Sequence, residues 1–208
     1  MSETLDFCPL MNDLDFSLEL LKNYLTARIP LAVQELELIA SYYKLERIPK
    51  KSFLFEQGSN NVRECFVVRG TLRVFYTDDK ATEHVLHFAF PEWWVGDMAA
   101  TLTGDPCSLS VQALEDTLVL SIGPREKEEL LKKVPKLERV FRIMLQKHLS
   151  AFQKRFLMTL SSSAAERYEE LLKRSPGIEQ LVPQHQIASY LGIMPESLSR
   201  MKKQLLRR

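Results

Sequence analysis

The stretch Gln184-His-Gln-Ile-Ala-Ser-Tyr-Leu-Gly-Ile-Met-Pro-Glu-Ser-Leu-Ser-Arg-Met-Lys-Lys-Gln-Leu205 decides how the rest of the chain is interpreted. Its apolar residues recur three or four positions apart within each half, at Ile187, Leu191, Ile193, Leu198 and Met201. Each half therefore predicts an amphipathic helix. Gly192 between the halves tolerates the positive φ of a tight turn, and Pro195 suits the first turn of a second helix. The pattern predicts a helix-turn-helix whose second helix runs from about Pro195 to Leu205.

The outer face of the predicted second helix carries side chains that suit DNA recognition. Arginine bonds guanine edges bidentately and glutamate accepts from cytosine, so Arg200 and Glu196 are predicted to read bases. Positively charged side chains neutralise phosphates, which is the role predicted for Lys202, Lys203, Arg207 and Arg208. An ordinary helical hairpin packed on a core is the alternative interpretation. The full predicted DNA-binding set is Gln184, His185, Glu196, Ser197, Ser199, Arg200, Lys202 and Lys203.

Charge is distributed unevenly along the chain. The 208 residues are 45% apolar and carry a net charge of only +1. This supports a proper core and argues against a protein that coats nucleic acid non-specifically. Residues 183–208, however, hold five Lys/Arg against one acidic residue. A neutral body with a basic tip fits DNA contact through one face.

Cysteine spacing and hydropathy indicate a reduced cytoplasmic protein. Cys8, Cys65 and Cys107 lie far apart and show no zinc or disulfide spacing. The longest uncharged run, Gln180–Pro195, is polar and broken by Pro183, so no membrane span is expected. The N-terminus also lacks the pattern of a signal peptide.

The first two-thirds of the chain predict helices followed by strands. Residues 1–15 are expected to be a frayed lead-in, and Phe16–Tyr43 to form two helices separated at Pro30. After Pro49 the period changes to short β-branched and aromatic runs between turn residues. Many short strands without intervening helices predict an antiparallel jelly roll. The predicted strands are Leu45–Ile48, Phe53–Phe55, Cys65–Val68, Leu72–Tyr76, His84–Phe90, Ser110–Leu114 and Thr117–Ser121.

A short helix at about Arg125–Lys133 precedes the longest helical pattern, Lys136–Leu160. At 1.5 Å per residue this helix would be roughly 35–40 Å long, which exceeds one barrel face. Its apolar stripe is better buried against a copy of itself, which predicts a homodimer. The predicted dimer-interface residues are Phe141, Leu145, Leu149, Phe152 and Phe156.

These patterns predict an α+β protein in three parts. Residues 1–134 form N-terminal helices and an antiparallel jelly-roll, or double-stranded β-helix, barrel. Residues 135–161 form the long dimerisation helix. Residues 162–208 form the helical helix-turn-helix domain, with Ser161–Ser163 as hinge and N-cap and a first helix at Ala164–Arg174.

Barrel, long helix and helix-turn-helix in this order resemble the CRP/FNR family of bacterial transcription regulators, over nearly the whole chain. The barrel motifs are Phe55-Glu-Gln-Gly58, Cys65-Phe-Val-Val-Arg-Gly-Thr-Leu-Arg-Val74 and Val95-Gly-Asp-Met98, followed by Cys107-Ser108. The last two resemble the cassette that holds phosphate and ribose in cyclic-nucleotide sensors. The resemblance implies a homodimer that binds double-stranded DNA and RNA polymerase, with an unknown small effector.

The chain departs from the family's cyclic-AMP binders, which have glycine-glutamate and, eleven residues after that glycine, arginine-serine. Gly96 and Ser108 match, but Asp97 and Cys107 replace glutamate and arginine. An anionic phosphate needs a cationic partner, so cyclic AMP is not expected to be the effector. Arg69 or Arg73 could supply that charge from an earlier strand. The pocket is predicted from Gly96, Asp97, Met98, Cys107, Ser108 and Arg73.

Two further departures concern cofactor and specificity. The family's iron–sulfur sensors use four cysteines, mostly near the N-terminus, where this chain has only Cys8, so no cofactor is expected. Pro195 stands at a position often held by a base-reading arginine in relatives. The preferred DNA sequence is therefore not predicted by the resemblance.

A barrel small-molecule binder or metal-dependent enzyme, with C-terminal helices that contact proteins, is the alternative function. Metal sites on jelly-roll barrels need two histidines on one strand face. His84 and His87 are three apart, which predicts opposite faces. No metal ligands and no catalytic residues are therefore expected. Salt-dependent binding to duplex DNA would separate the two functions.

Overall fold

A computed structural model describes residues 12–205 of the chain; Cys8, Arg207 and Arg208 lie outside this range. Helix α1 (Asp13–Thr26) begins at Asn12, whose side chain accepts the Asp15 N–H at 2.8 Å. This N-cap and two acidic residues in the first turn stabilise the helix start. The predicted lead-in is therefore wrong from residue 12 onward. Helix α2 (Val33–Tyr42) follows, as the break at Pro30 predicts.

Eight strands build the barrel within residues 12–205. They form two four-stranded antiparallel sheets, in the orders β1-β8-β3-β6 and β2-β7-β4-β5, which confirms the jelly-roll prediction. The strands are β1 (Lys44–Ile48), β2 (Phe53–Phe55), β3 (Glu64–Arg69), β4 (Leu72–Thr77), β5 (Glu83–Ala89), β6 (Trp94–Val95), β7 (Ser110–Ala113) and β8 (Thr117–Ile122). Strand β6 and the helix after it, α3 (Met98–Thr103), were not predicted, because both are too short to show a period.

A β-bulge corrects the prediction for the two barrel histidines. Val74 pairs with His87 and Phe75 pairs with Val85, so Leu86 is left as the extra residue. Directly paired residues point to the same side of a sheet, and the bulge therefore returns His84 and His87 to one side of β5. Their surroundings still differ, because His84 is exposed and bonded to Asp78 at 2.8 Å whereas His87 is partly buried.

After α4 (Pro124–Lys133), the long helix α5 (Lys136–Ser161) begins on the barrel. Its first part buries Leu137, Val140 and Met144 against the outer face of one sheet. Phe141 lies in the same cluster, 6% exposed, with its ring centroid 5.4 Å from that of Trp94. The prediction that Phe141 belongs to the dimer interface is therefore wrong, because the barrel of its own chain covers it.

Four further helices end the described chain, and they include the predicted helix-turn-helix. They are α6 (Ala164–Arg174), α7 (Ile178–Leu181), α8 (Gln184–Leu191) and α9 (Pro195–Leu205). Ser163 caps α6 in a reciprocal capping box with Glu166. Gly192 has a φ of 68° between α8 and α9, and its N–H donates to the Ser189 carbonyl at 3.0 Å. These features confirm the predicted cap and turn, while the single turn of α7 was not predicted.

The helix-turn-helix shares a core with the barrel. Phe75, Val85 and Phe88 project from the outer face of β4 and β5 into the cluster that holds Ile187 and Leu198. Burial of these side chains removes apolar surface of both units from water. None of the helices within residues 12–205 combines the length and apolar character that crossing a bilayer requires.

Candidate DNA-reading surface and sensor cassette

Helix α9 has one buried face and one exposed polar face. Leu198 is fully buried, which fixes the rotation of the helix. The exposed face carries residues three, four and seven positions apart: Glu196, Ser199, Arg200 and Lys203. Ser197 is partly buried, and its Oγ accepts from Arg200 Nη2 at 3.2 Å. Gln184 and His185 are exposed at the start of α8.

Lys202 lies outside this exposed face. Its ammonium pairs with Glu179 of α7, which also accepts the Tyr168 hydroxyl at 2.6 Å. The bonds from Lys202 and Tyr168 hold the pKa of Glu179 below its ordinary value. Lys202 was predicted to contact a DNA phosphate. Within the protein its positive charge is already paired with the Glu179 carboxylate.

The cassette after β6 is centred on the carboxylate of Asp97, which is 1% exposed. One oxygen accepts the Ala100 N–H at 3.1 Å. The other accepts the Ser108 N–H at 2.6 Å, the Ser108 hydroxyl at 2.8 Å and the Leu109 N–H at 3.0 Å. Burial alone would raise the pKa of Asp97, but these hydrogen bonds outweigh it and hold the pKa below its ordinary value. The protein therefore supplies its own anion to the donors of this turn.

The turn is fixed from its other side as well. The Gly58 N–H donates to the Cys107 carbonyl at 2.7 Å, and the Cys107 N–H donates to the Ser59 carbonyl at 2.8 Å. The Cys107 side chain is 2% exposed and belongs to the interior core of the barrel. It places a side chain that carries no positive charge where the family's cyclic-AMP binders have an arginine.

Arg73 does not reach this cassette, and its assignment to the pocket is wrong. Strand alternation directs Leu72 and Val74 into the barrel and Arg73 out of it. Its Nε donates to Gln112 Oε1 at 2.8 Å, and its guanidinium pairs with Glu83. Of the other predicted pocket residues, Gly96, Asp97, Cys107 and Ser108 lie together, while Met98 is 51% exposed.

Two arginines that the sequence did not reveal hold the last turn of α8. Arg155 of α5 donates to the Tyr190 carbonyl at 3.2 Å, and Arg167 of α6 donates to the Leu191 carbonyl at 3.1 Å. Cations at a helix C-terminus stabilise its unpaired carbonyl groups. The sequence could not single out these two arginines, because both helices carry several basic residues and the sequence does not indicate which of them turns inward.

His87 of β5 interacts electrostatically with Arg155, one of these two arginines. Burial lowers its pKa to about 4, and electrostatic interactions with His148 and Arg155 act in the same direction. The imidazole is therefore neutral at physiological pH. Within residues 12–205, no three His, Cys, Asp or Glu side chains come together in a group that could hold a metal ion.

An antiparallel jelly-roll barrel with this cassette, followed by a long helix and a helix-turn-helix, is the architecture of a regulator that joins a sensor-type barrel to a DNA-binding module. Residues 45–134 match the family described as the cyclic nucleotide-binding domain. Together with the similar proteins described next, this match supports a transcription regulator of the CRP/FNR type.

Similar proteins agree with this assignment. The chain is 27% identical over 186 residues to the transcriptional activator protein Anr of Pseudomonas aeruginosa, covering 83% of this chain and 75% of that protein. It is 25% identical to the cyclic AMP receptor protein of Thermus thermophilus, covering 82% and 81% of the two chains.

Solved structures share the fold at lower identity. The c-di-GMP responsive global regulator CLP of Xanthomonas campestris aligns with a TM-score of 0.70 at 16% identity, over 85% of this chain and 92% of that chain. FixK2 of Bradyrhizobium japonicum aligns with a TM-score of 0.70 at 19% identity, over 79% and 85%.

The buried carboxylate generates a stability prediction. We expect Asp97→Asn to lower the free energy of unfolding by about 2–4 kcal/mol, because an amide nitrogen would face hydrogen-bond donors. Urea denaturation followed by circular dichroism measures this change. Because the folded-state pKa of Asp97 is lowered, its contribution is present above the unfolded-state pKa of about 3.9 and is lost as pH falls through the folded-state pKa.

The matched control is Asp116→Asn. The Asp116 carboxylate is exposed and accepts one N–H, from Lys50 at 2.8 Å. We expect this change to cost less than about 1 kcal/mol. Equal losses from the two variants at pH 7 would contradict the special role of the Asp97 carboxylate.

Proposed function

We propose that this regulator acts in the cytoplasm as a homodimer that binds double-stranded DNA through the exposed polar face of α9. The observation that carries the proposal is the orientation of α9, which buries Leu198 and exposes Glu196, Arg200 and Lys203 together. Arginine and glutamate supply base-specific hydrogen bonds, and lysine binds phosphates. Gln184, His185, Ser197 and Ser199 complete the proposed contact set.

The proposal divides the chain into three functional parts. Residues 1–134 form the barrel unit, residues 135–161 the dimerisation helix and residues 162–208 the DNA-binding unit. Contact with RNA polymerase is proposed on the ground that relatives are named transcriptional activators. Those relatives are regulators rather than enzymes, which supports a non-enzymatic role.

The second half of α5 supports dimerisation. Beyond Met144 the helix presents an exposed apolar face. Its members are Leu145 (40% exposed), Leu149 (58%), Phe152 (62%) and Phe156 (55%). Phe152 and Phe156 stack with ring centroids 6.5 Å apart, which makes a continuous apolar ridge. A contiguous patch of this kind is stabilised when a second copy covers it, as two helices do in a coiled coil.

Light scattering tests the dimer. The wild type is expected to give twice the 24.1 kDa chain mass. Phe152→Glu should give a monomer, because it would bury a charge in the apolar dimer interface at a cost of about 3 kcal/mol or more. The control Ser150→Glu changes an exposed residue outside the apolar face and should leave the dimer intact. A monomeric wild type at micromolar concentration would contradict the proposal.

Two substitutions test DNA recognition. Arg200→Ala should cost about 1–3 kcal/mol on the preferred site and relax specificity at one base position, because the bidentate contact is lost. Lys203→Ala should weaken binding to all sequences alike and reduce the salt slope by about 1, because one fewer phosphate is neutralised. Fluorescence anisotropy with duplexes selected from a random pool measures both.

The control for these variants is Lys132→Ala, whose side chain is exposed on α4, outside the helix-turn-helix. It should change neither affinity nor salt slope. The assignment of the reading face is wrong if Arg200→Ala keeps the site preference of the wild type, whatever its effect on affinity.

The cassette supports a regulator that does not respond to cyclic AMP. A cyclic phosphate would bring a negative charge toward the buried Asp97 carboxylate, and Cys107 offers no compensating cation. Arg73 does not supply this cation, because it faces out of the barrel and is paired with Glu83. An effector of this barrel would therefore have to be less anionic, unless the barrel serves as a scaffold alone.

Isothermal titration with cyclic AMP and cyclic GMP tests this conclusion. Loss of a buried charge-assisted pair costs about 2–5 kcal/mol, or about thirtyfold to several-thousandfold in affinity. We therefore expect no binding heat at micromolar concentrations of protein and nucleotide. Before titration, a cooperative thermal melt should show that the protein sample is folded. A dissociation constant in the low micromolar range for either nucleotide would refute the prediction.

A further inference from the structure

Arg155 occupies a junction that connects the apolar face of α5 with the helix-turn-helix. Its guanidinium donates to the Val85 carbonyl of β5 at 3.3 Å and to the Tyr190 carbonyl of α8 at 3.2 Å. It also lies over the Tyr190 ring, 4.1 Å from the centroid. A planar guanidinium can make hydrogen bonds in its plane and stack through its face at the same time, which lysine cannot do.

The surroundings make this junction specific. The Ser189 hydroxyl donates to the Glu83 carbonyl at 2.8 Å and accepts the Val85 N–H at 3.0 Å. The Tyr190 ring packs 5.5 Å from the ring of Phe88. Helix α8 is thus held to β5 by a hydroxyl and an aromatic contact, and to α5 by Arg155 in the middle.

The junction lies between the proposed dimer seam and the proposed DNA-reading face. Arg155 stands three residues after Phe152 and one before Phe156, which belong to the exposed apolar face. Helix α8 in turn carries α9, because Ala188 and Leu191 share a core with Leu198. A displacement of Arg155 would therefore change the position of each recognition helix relative to the other in a dimer.

We propose that Arg155 is a positioning residue for DNA recognition, which sets the separation and orientation of the two recognition helices without touching DNA. This inference rests on the proposed function. Dimers of helix-turn-helix proteins read half-sites about 10–10.5 base pairs apart, so the distance between the two recognition helices determines which spacing is bound. Two linked readers gain avidity only where both engage at once.

The test measures affinity against half-site spacing. The wild-type protein first selects a duplex from a random-sequence pool. That duplex is then rebuilt with its half-sites moved by one to five base pairs and, separately, with one half-site scrambled. We expect a sharp optimum for the wild type. Arg155→Ala should lose about tenfold or more on the optimal spacing, show a flattened spacing profile and stay within about twofold on the single half-site.

Matched variants separate positioning from loss of folding or charge. Lys154→Ala removes the neighbouring cation, which pairs with Glu170 at 2.6 Å on the surface, and should keep the wild-type profile. Arg155→Lys keeps the charge but not the stacked, two-acceptor geometry, and should flatten the profile. If Arg155→Ala does not fold, Ser189→Ala replaces it, since it removes both hydroxyl bonds to β5 and should also flatten the profile.

The outcomes distinguish this inference from the proposed function. A wild type that binds no duplex, or binds as a monomer, overturns both. A wild-type dimer with a sharp spacing optimum that Arg155→Ala and Arg155→Lys retain overturns the positioning role alone. Equal loss by Arg155→Ala on the full site and on the single half-site also overturns it, because general destabilisation would then explain the effect.

Discussion

The long helix α5 carries two apolar faces: one is buried against the barrel, and the other is exposed further along the helix. The arrangement of the rest of the structure depends on where the first face ends and the second begins. Its 26 residues span about 39 Å. The first turns pack on the outer face of one barrel sheet, where Phe141 meets Trp94. Further along, Arg155 turns toward β5 and α8 while Phe152 and Phe156 remain exposed. One helix thereby connects the barrel, the proposed partner subunit and the helix-turn-helix.

The barrel has the architecture of a sensor fold, and its cassette is ordered by a carboxylate of the protein itself. The family's cassette is arranged to bring N–H and hydroxyl donors to an anion. Here the carboxylate of Asp97 meets those donors inside the protein, and the Cys107 thiol joins the apolar core. Buried charge is tolerated because every acceptor oxygen is hydrogen-bonded. The turn is consequently ordered by groups of the protein itself.

Local patterns in the sequence predicted the elements well, because period, caps and turn residues act over a few positions. The helix-turn-helix followed from Gly192, Pro195 and the apolar spacing, and the helix start at Ala164 followed from Ser163. The errors have a different origin. Phe141 was assigned to the dimer seam because a helical period shows a stripe but not which neighbour covers each part of it.

The site residues that were misplaced depend on tertiary pairing. The outward direction of Arg73 follows from strand alternation only once the register of β4 is known. The bulge at Leu86 places His84 and His87 on one side of β5, although their spacing predicted opposite sides. The ion pair of Lys202 was not predicted, because its partner Glu179 lies on a single-turn helix that has no sequence period. Arg155 and Ser189 were missed because their partners are backbone groups, which every residue provides.

The position of β5 at the end of its sheet has a consequence for solubility. The order β2-β7-β4-β5 leaves one side of β5 without a neighbouring strand. Such a side offers N–H and C=O groups that a foreign strand can recruit, which leads to aggregation. In this molecule Ser189 and Arg155 occupy the groups of Glu83 and Val85. The helix-turn-helix thereby also covers the edge of the barrel. A barrel without it would expose the unpaired edge of β5 to other molecules of the protein.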